Sequence, residues 1–430
     1  MKIRGTPASA QRGAATLVVV MVLFLVMALL AAYANRSLLF EQRMASSYYR
    51  ASLSQEVAEA GVEWTLAQLN GTAMDATCTP VASGGERFAD RYLTIDASNR
   101  SITARSNDRY GIIDCARSAA NQGWACRCAD ASAAHTAQAP VAAAGFTPSF
   151  GVRFENGGRG GTLAVDVQAC TDSVVDHCNL DITQRTAITN NQLSGLKLKV
   201  QLALVSAVRT PPASALTVRG DIRSTGAGLG LHNSDARSAG LLAMLGGTWT
   251  GKVDARLETV PGAATGPAVL QTDDALRAAV SGEDVFKMFM GASIGRYATH
   301  PALRTLACDG DCAEAIDTAY KAGQRMLWVE GDLTLSSNRT LATLADPVLI
   351  IATGKVTLGG PMQINGMLVA KGDLEWTNTA GMPSTINGIV LVGGDVVSTG
   401  AVDIVYQQKV ADQVRNRMGS YVRVPGGWID

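Results

Sequence analysis

Arg12-Gly13-Ala14-Ala15-Thr16-Leu17-Val18-Val19-Val20-Met21 opens a run that stays apolar as far as Ala34. Between Ala14 and Ala34 there is no charge, side-chain amide or proline. At about 1.5 Å per residue, a helix of that length spans roughly 30 Å, the thickness of a bilayer's hydrocarbon core. No proline occurs from Ala14 to Asn70, so the helix is expected to continue beyond the apolar run. Past Arg36 the chain turns amphipathic. Tyr49, Leu53, Val57, Ala60, Trp64 and Ala67 recur every three or four residues, with Glu56, Glu59 and Glu63 on a neighbouring face. Asn70-Gly71 is a plausible stop. A helix from Ala14 to Leu69 would be about 84 Å long, greasy in its first half and packed on a globular domain in its second.

The flanks of the run are informative. A secretory signal has a shorter apolar core, with small residues after it at the cleavage site. Here the small residues Gly13 and Ala14 stand before a long core, beside the basic residues Lys2, Arg4 and Arg12. This order resembles a type IV prepilin signal, which the peptidase cuts on the cytoplasmic side after a glycine. The resemblance implies a leader of residues 1–13, removed between Gly13 and Ala14, and a mature N-terminus that is methylated. Three segments narrow it further: Arg12-Gly13-Ala14-Ala15-Thr16-Leu17-Val18-Val19, Glu41-Gln42-Arg43-Met44-Ala45 and Glu56-Val57-Ala58-Glu59-Ala60-Gly61. Together they resemble the N-terminal module of the PilX family of minor pilins, which is related to the K-type minor pseudopilins of type II secretion. In one respect the sequence departs from major pilins. Val18 occupies the fifth mature position, where they carry a glutamate.

Charge and cysteines fit an exported, anchored chain. There are 37 basic and 37 acidic residues; without Lys2, Arg4 and Arg12 the balance is 34 to 37, or −3. That gives no reason to expect nucleic acid as a partner. The leader charges predict a cytoplasmic N-terminus, leaving everything after Asn35 on the far side. The eight cysteines are Cys78, Cys115, Cys126, Cys128, Cys170, Cys178, Cys308 and Cys312. An even set in an exported chain suggests a disulfide framework. Roughly a hundred pairings are possible, and Cys170–Cys178 and Cys308–Cys312 read as local pairs. The rival is zinc on Cys126-x-Cys128 with another cysteine pair, but the sequence lacks the two C-x-x-C pairs of such a site, so neither metal nor cofactor is expected.

Residues 71–205 read as a cysteine-rich, pilin-like globular domain. Expected strands include Arg91–Ile95 with Ser101–Ala104, then Gly151–Phe154, Thr162–Val167 and Leu196–Val200. The glycines Gly157, Gly158, Gly160 and Gly161 lack the lysine of a phosphate loop and read as a hairpin. Residues 206–404 carry a repeat. Four apolar runs end at Gly331, Gly354, Gly372 and Gly394. Ile364-Asn365-Gly366 and Ile386-Asn387-Gly388 repeat with the same offset as the last two of those glycines, and Leu216–Ile222 looks like an outlying first copy. A period of roughly 20 residues suits one coil of a β-solenoid, with Leu333, Leu335, Val356, Leu358, Leu374 and Trp376 inward. An antiparallel meander turning at the glycines is the alternative. A helical insertion is expected over about 272–322, and a C-terminal helix and strand over 405–430. The fold class is α+β: a long N-terminal helix packed on a β-rich domain, followed by a β-solenoid-like repeat.

Catalytic patterns are weak. Gly291-Ala292-Ser293-Ile294-Gly295 matches G-x-S-x-G, but helix precedes it and only His300 follows. Asp309 and Asp311 offer too few oxygen ligands for calcium. A glycan-cleaving enzyme needs paired carboxylates, whereas Asp332, Asp373 and Asp395 recur at the repeat turn itself. The chain is therefore not expected to be an enzyme. The resemblance implies a minor pilin that primes a type IV pilus at or near its tip and presents the repeat domain for adhesion. An adhesin without an assembly role, or a K-like pseudopilin, are the other readings. Implied partners are the major pilin, other minor pilins, prepilin peptidase and a tip adhesin. The implied location is the inner membrane of a Gram-negative bacterium, with a periplasmic C-terminal part, and then the extracellular pilus.

Overall fold

The computed structural model describes residues 12–105, 113–117, 123–128, 148–171 and 195–429. A single helix runs Arg12–Leu69, and the next residues close it: the Asn70 side chain donates to the carbonyl of Leu66. Every side chain from Ala15 to Tyr49 is exposed. The second half packs on a sheet, along a stripe made of Ser54, Val57, Ala58, Gly61, Val62, Thr65 and Leu69. This corrects the expected face. Tyr49 and Ala67 are exposed, and Ala60 and Trp64 are only half-buried. The contact is made through small residues, because the helix lies close to the sheet: a Cβ on Gly61 would fall 2.6 Å from Val167 Cγ1 and 3.0 Å from the Phe150 ring. Trp64 flanks this contact and meets Phe88 edge-on at 5.6 Å.

The sheet under the helix has six antiparallel strands. Their order is Gly419–Ile429, Gly195–Ser206, Thr162–Cys170, Ser149–Asn156, Ile113–Arg117 and Trp124–Arg127. The C-terminal strand thus belongs to this first sheet. Near its entrance, Leu93–Ile95 pairs with Ile102–Ala104 as expected, but Phe88–Tyr92 is a short helix, so Arg91 and Tyr92 are not in the strand. The expected loop or helix over 129–144 lies outside the described residues.

The repeat is built from parallel strands throughout. Leu333 pairs with Val356, Val356 with Leu374, and Leu374 with Val396. These steps are the same as those from Gly331 to Gly354, Gly372 and Gly394. Asn365 and Gly366 stand opposite Asn387 and Gly388. Stacked coils require parallel pairing, and an antiparallel meander does not give it. The strands of the coils form two parallel sheets, one of twelve strands and one of six. Trp376 is buried in the core with its indole N–H donating to Ser384 Oγ at 3.0 Å, and Trp249 donates to Ser224 at 2.9 Å. Both satisfy the one polar atom that burial would strand.

The order of coils in space is not their order in sequence. Leu216–Val218 lies beside Thr385–Val392, so the outlying copy sits next to the last coil. The chain builds outward from there, through Ala243–Leu245 to Val269–Leu270. It then crosses to the opposite end through the helices Gly282–Met290 and Ala313–Lys321. The expected helical insertion also holds a strand, Leu303–Leu306, which pairs with Met326–Val329 and so adds a coil before the first recognised repeat. From there the coils wind back to meet the starting copy. The helix Gln408–Asn416 buries Val410, Ala411 and Val414 and returns the chain to the first sheet. Ser206, where the coil unit departs, is in register with Gly419, where it returns.

Candidate functional site

The first half of the long helix is exposed along its whole length from Ala15 to Tyr49. The stretch from Ala15 to Tyr49 projects for roughly 50 Å at about 1.5 Å per residue. Leu17, Met21, Phe24, Leu25 and Tyr33 are each more than half exposed. Exposed apolar surface on this scale marks a membrane or protein contact. The helix is long and apolar enough to cross a membrane. Gly13 and Ala14 lie in its first turn. Val18, one turn on, is 58% exposed and presents an alkyl group with no charge. The first charges after the run are Arg36, Glu41 and Arg43, all exposed.

Residues 12–63 match the family model described as PilX N-terminal. The N-terminal module is thus similar to that of the PilX pilins. PilX proteins are structural components of type IV pili, so the module supports a minor pilin that associates with other pilins and with the pilus machinery. No curated protein matches the chain. A solved structure with some likeness is an ice-binding protein from the Antarctic ascomycete Antarctomyces psychrotrophicus, at 13% identity. It covers 45% of this chain and 95% of that one, with a TM-score of 0.24. A superposition that poor carries no argument.

Behind the PilX module, disulfides secure the domain that carries it. Cys78 bonds Cys128, and Cys115 bonds Cys126. The second bridge joins directly opposite residues of two neighbouring strands. Cys126 and Cys128 therefore belong to two separate bridges, and their sulfurs are not available to zinc. Cys308 bonds Cys312, the local pair expected from the spacing. Cys170 is also bridged; Cys178 lies outside the described residues, and so does the expected pairing of the two.

The remaining sequence candidates have structural partners. Ser293 begins a short helix that follows the helix Gly282–Met290. His300 Nδ1 is bonded to Ser420 Oγ. Asp311 accepts from Ser336 and Ser337 of a neighbouring coil. Asp332, Asp373 and Asp395 each accept the backbone N–H of the next coil, from Lys355, Asp395 and Asp221, at 2.7, 2.8 and 2.9 Å. The recurring aspartates thus tie one coil to the next.

Two polar clusters escaped the sequence reading. The first joins the PilX-bearing domain to the coils. Arg417 contacts Asp90 at 2.9 Å, Asp90 contacts Arg87 at 2.6 Å, Arg87 reaches Asp346 at 3.3 Å, and Asp346 holds Arg325 at 2.6 Å. Burial alone would raise the Asp90 pKa, but Arg87 and Arg417 overcome it and hold the carboxyl below its usual range. The second cluster, around His232, lies in the floor of an open groove of about 1390 Å³ at one end of the coils. Its members, Glu258 and Asp403, are far from His232 in the chain, so no local motif announces it. The helix's small-residue stripe was missed for a different reason: a scan for large apolar residues passes over Ser54, Gly61 and Thr65.

Proposed function

We propose that this chain is a minor pilin that primes assembly of a type IV pilus and remains at or near the tip, with the coil unit facing outward as the adhesive part. The observation that carries the reading is the bare apolar helix of the PilX module, joined to a body far larger than a shaft subunit needs. Val18 supports the tip position. The bundled helices of a pilus form an apolar interior, where an unpaired charge is costly. The glutamate of a major pilin is understood to pair with the N-terminal amine of its neighbour and so to draw each new subunit beneath the last. Val18 gives no such pull, yet the Ala14 amine still receives the glutamate of the next arrival. A subunit of this kind enters first. Before assembly it is held in the inner membrane of a Gram-negative cell with its body in the periplasm. The described bridges, which stabilise by typically about 2–5 kcal/mol each, suit an oxidising compartment.

Mass spectrometry of the membrane-extracted protein tests the processing on which this depends. The expected N-terminus is methylated Ala14. A mature chain that begins at Met1, or beyond Ala34, would overturn the pilin reading.

A further inference from the structure

The groove at the end of the coils has a titratable clasp in its floor. The strand Leu229–His232 lies between two parallel neighbours, Val402–Val405 and Arg256–Glu258. The His232 ring closes both seams. Its Nε2 is 2.9 Å from Asp403 Oδ1, and its Nδ1 is 3.0 Å from Glu258 Oε2. Carboxylates only accept, so both contacts at once require both ring nitrogens to carry protons. A neutral imidazole has one N–H and must surrender one contact.

The geometry indicates which contact goes. Asp403 is also held by Arg256 at 2.9 Å and is half-buried, whereas the Glu258 side chain is 77% exposed. Gly230 leaves the room that Asp403 occupies, since a Cβ there would fall 1.7 Å from Asp403 Oδ1. Arg256–Glu258 is the terminal strand of its sheet and pairs with one neighbour alone. Residues 259–263 follow it directly and line one wall of the groove. Of the other charges nearby, Arg237 pairs with Asp235 at 3.2 Å and with Asp412 at 3.6 Å, and Lys409 lines the same groove.

We propose that His232 is a proton-operated clasp: charged, it pins Glu258 and the groove wall that follows; neutral, it releases them while Arg256 keeps its hold on Asp403. The hydrogen bond that His232 donates to Asp403 raises the pKa of the ring, burial opposes this, and Glu258 adds to the rise. Glu258 adds to the rise only while it is held, so the closed wall binds the proton more tightly than the released one. Closure is favoured below the ordinary histidine pKa of 6.5 and fades as pH rises through the raised value.

Hydrogen exchange of the full chain in detergent, corrected for the intrinsic pH dependence of exchange, tests this from pH 5.5 to 9. Peptides covering 254–263 are expected to lose protection progressively as pH rises through the raised His232 value. Peptides from Gln363–Ala370 should not change. His232→Gln should show the low protection at every pH. Glu258→Gln, a surface change that leaves folding intact, should also flatten the profile. A flat wild-type profile, or an unchanged profile in Glu258→Gln or in folded His232→Gln, would overturn the proposal.

Discussion

At Gly61 the long helix comes closest to its sheet, and the absent side chain is what permits it. Gly61→Leu would drive atoms into Val167 and Phe150, both fully buried. Overpacking of this kind costs about 1–3 kcal/mol, and more where a helix must move off a sheet. Thermal unfolding of the soluble part should show the loss; an unchanged midpoint would mean that the helix packs elsewhere. Val18 makes a different prediction, because it lies on the bare half of the helix, away from the folded body. Val18→Glu should leave folding unchanged and either impair incorporation at the tip or let the protein enter the shaft. Pilus fractionation with quantitative blotting checks this, and no change in either would remove the support that Val18 gives. Both residues were visible in the sequence to different degrees. Val18 stood out against a known position. Gly61 did not, since glycine carries no apolar signal and its role comes from the sheet laid against it.

At the scale of elements, the coil is the feature the sequence announced best. The uneven spacing of Gly331, Gly354, Gly372 and Gly394 reappears as the strand registers. That legibility has a physical cause: in a parallel stack, equivalent positions of successive coils lie side by side, so the repeat in sequence is the register in space. Asn365 and Asn387 show it, with Asn387 donating to Asn365 at 2.9 Å and Asn365 donating onward to the Ala342 carbonyl at 3.0 Å. Asn365→Ala should leave a buried carbonyl and its neighbour without partners. The expected loss is about 1–3 kcal/mol, measured as a lower denaturation midpoint; a loss below about 0.5 kcal/mol would show that the ladder is idle. What repeats could not reveal was the path. The starting copy pairs with the last coil, Leu216 beside Val390, and no periodicity encodes a closure across so much chain. The terminal strand was expected, but its partner was hidden for a similar reason, because Gly195–Ser206 lies on the far side of the whole coil unit in the chain.

At the scale of the molecule, two seams make one body of the PilX-bearing domain and the coils. One is the pair of adjacent strands at Ser206 and Gly419; the other is the alternating chain from Arg417 to Arg325. Asp90→Asn would leave Arg87 and Arg417 facing one another. These side chains keep 21% and 32% of their exposure, so the cost should fall to about 1–2 kcal/mol, below the roughly 3–5 kcal/mol of a fully buried pair. The pH dependence has a definite sign. The Asp90 pKa is lower in the folded chain, so its contribution is present above the ordinary carboxylate value and is lost as pH falls through the folded one. Limited proteolysis at the junction should therefore accelerate in acid for the wild type and show a weaker acid dependence in Asp90→Asn. Equal acid dependence in the two would place the acid-labile group elsewhere.

A body joined this firmly to its helix moves wherever the helix is placed, and this makes position in the filament the most direct test. Gold particles against the coil unit, applied to intact pili and viewed by electron microscopy, should cluster at one end of each filament. Label distributed along the shaft would contradict the tip-proximal initiator.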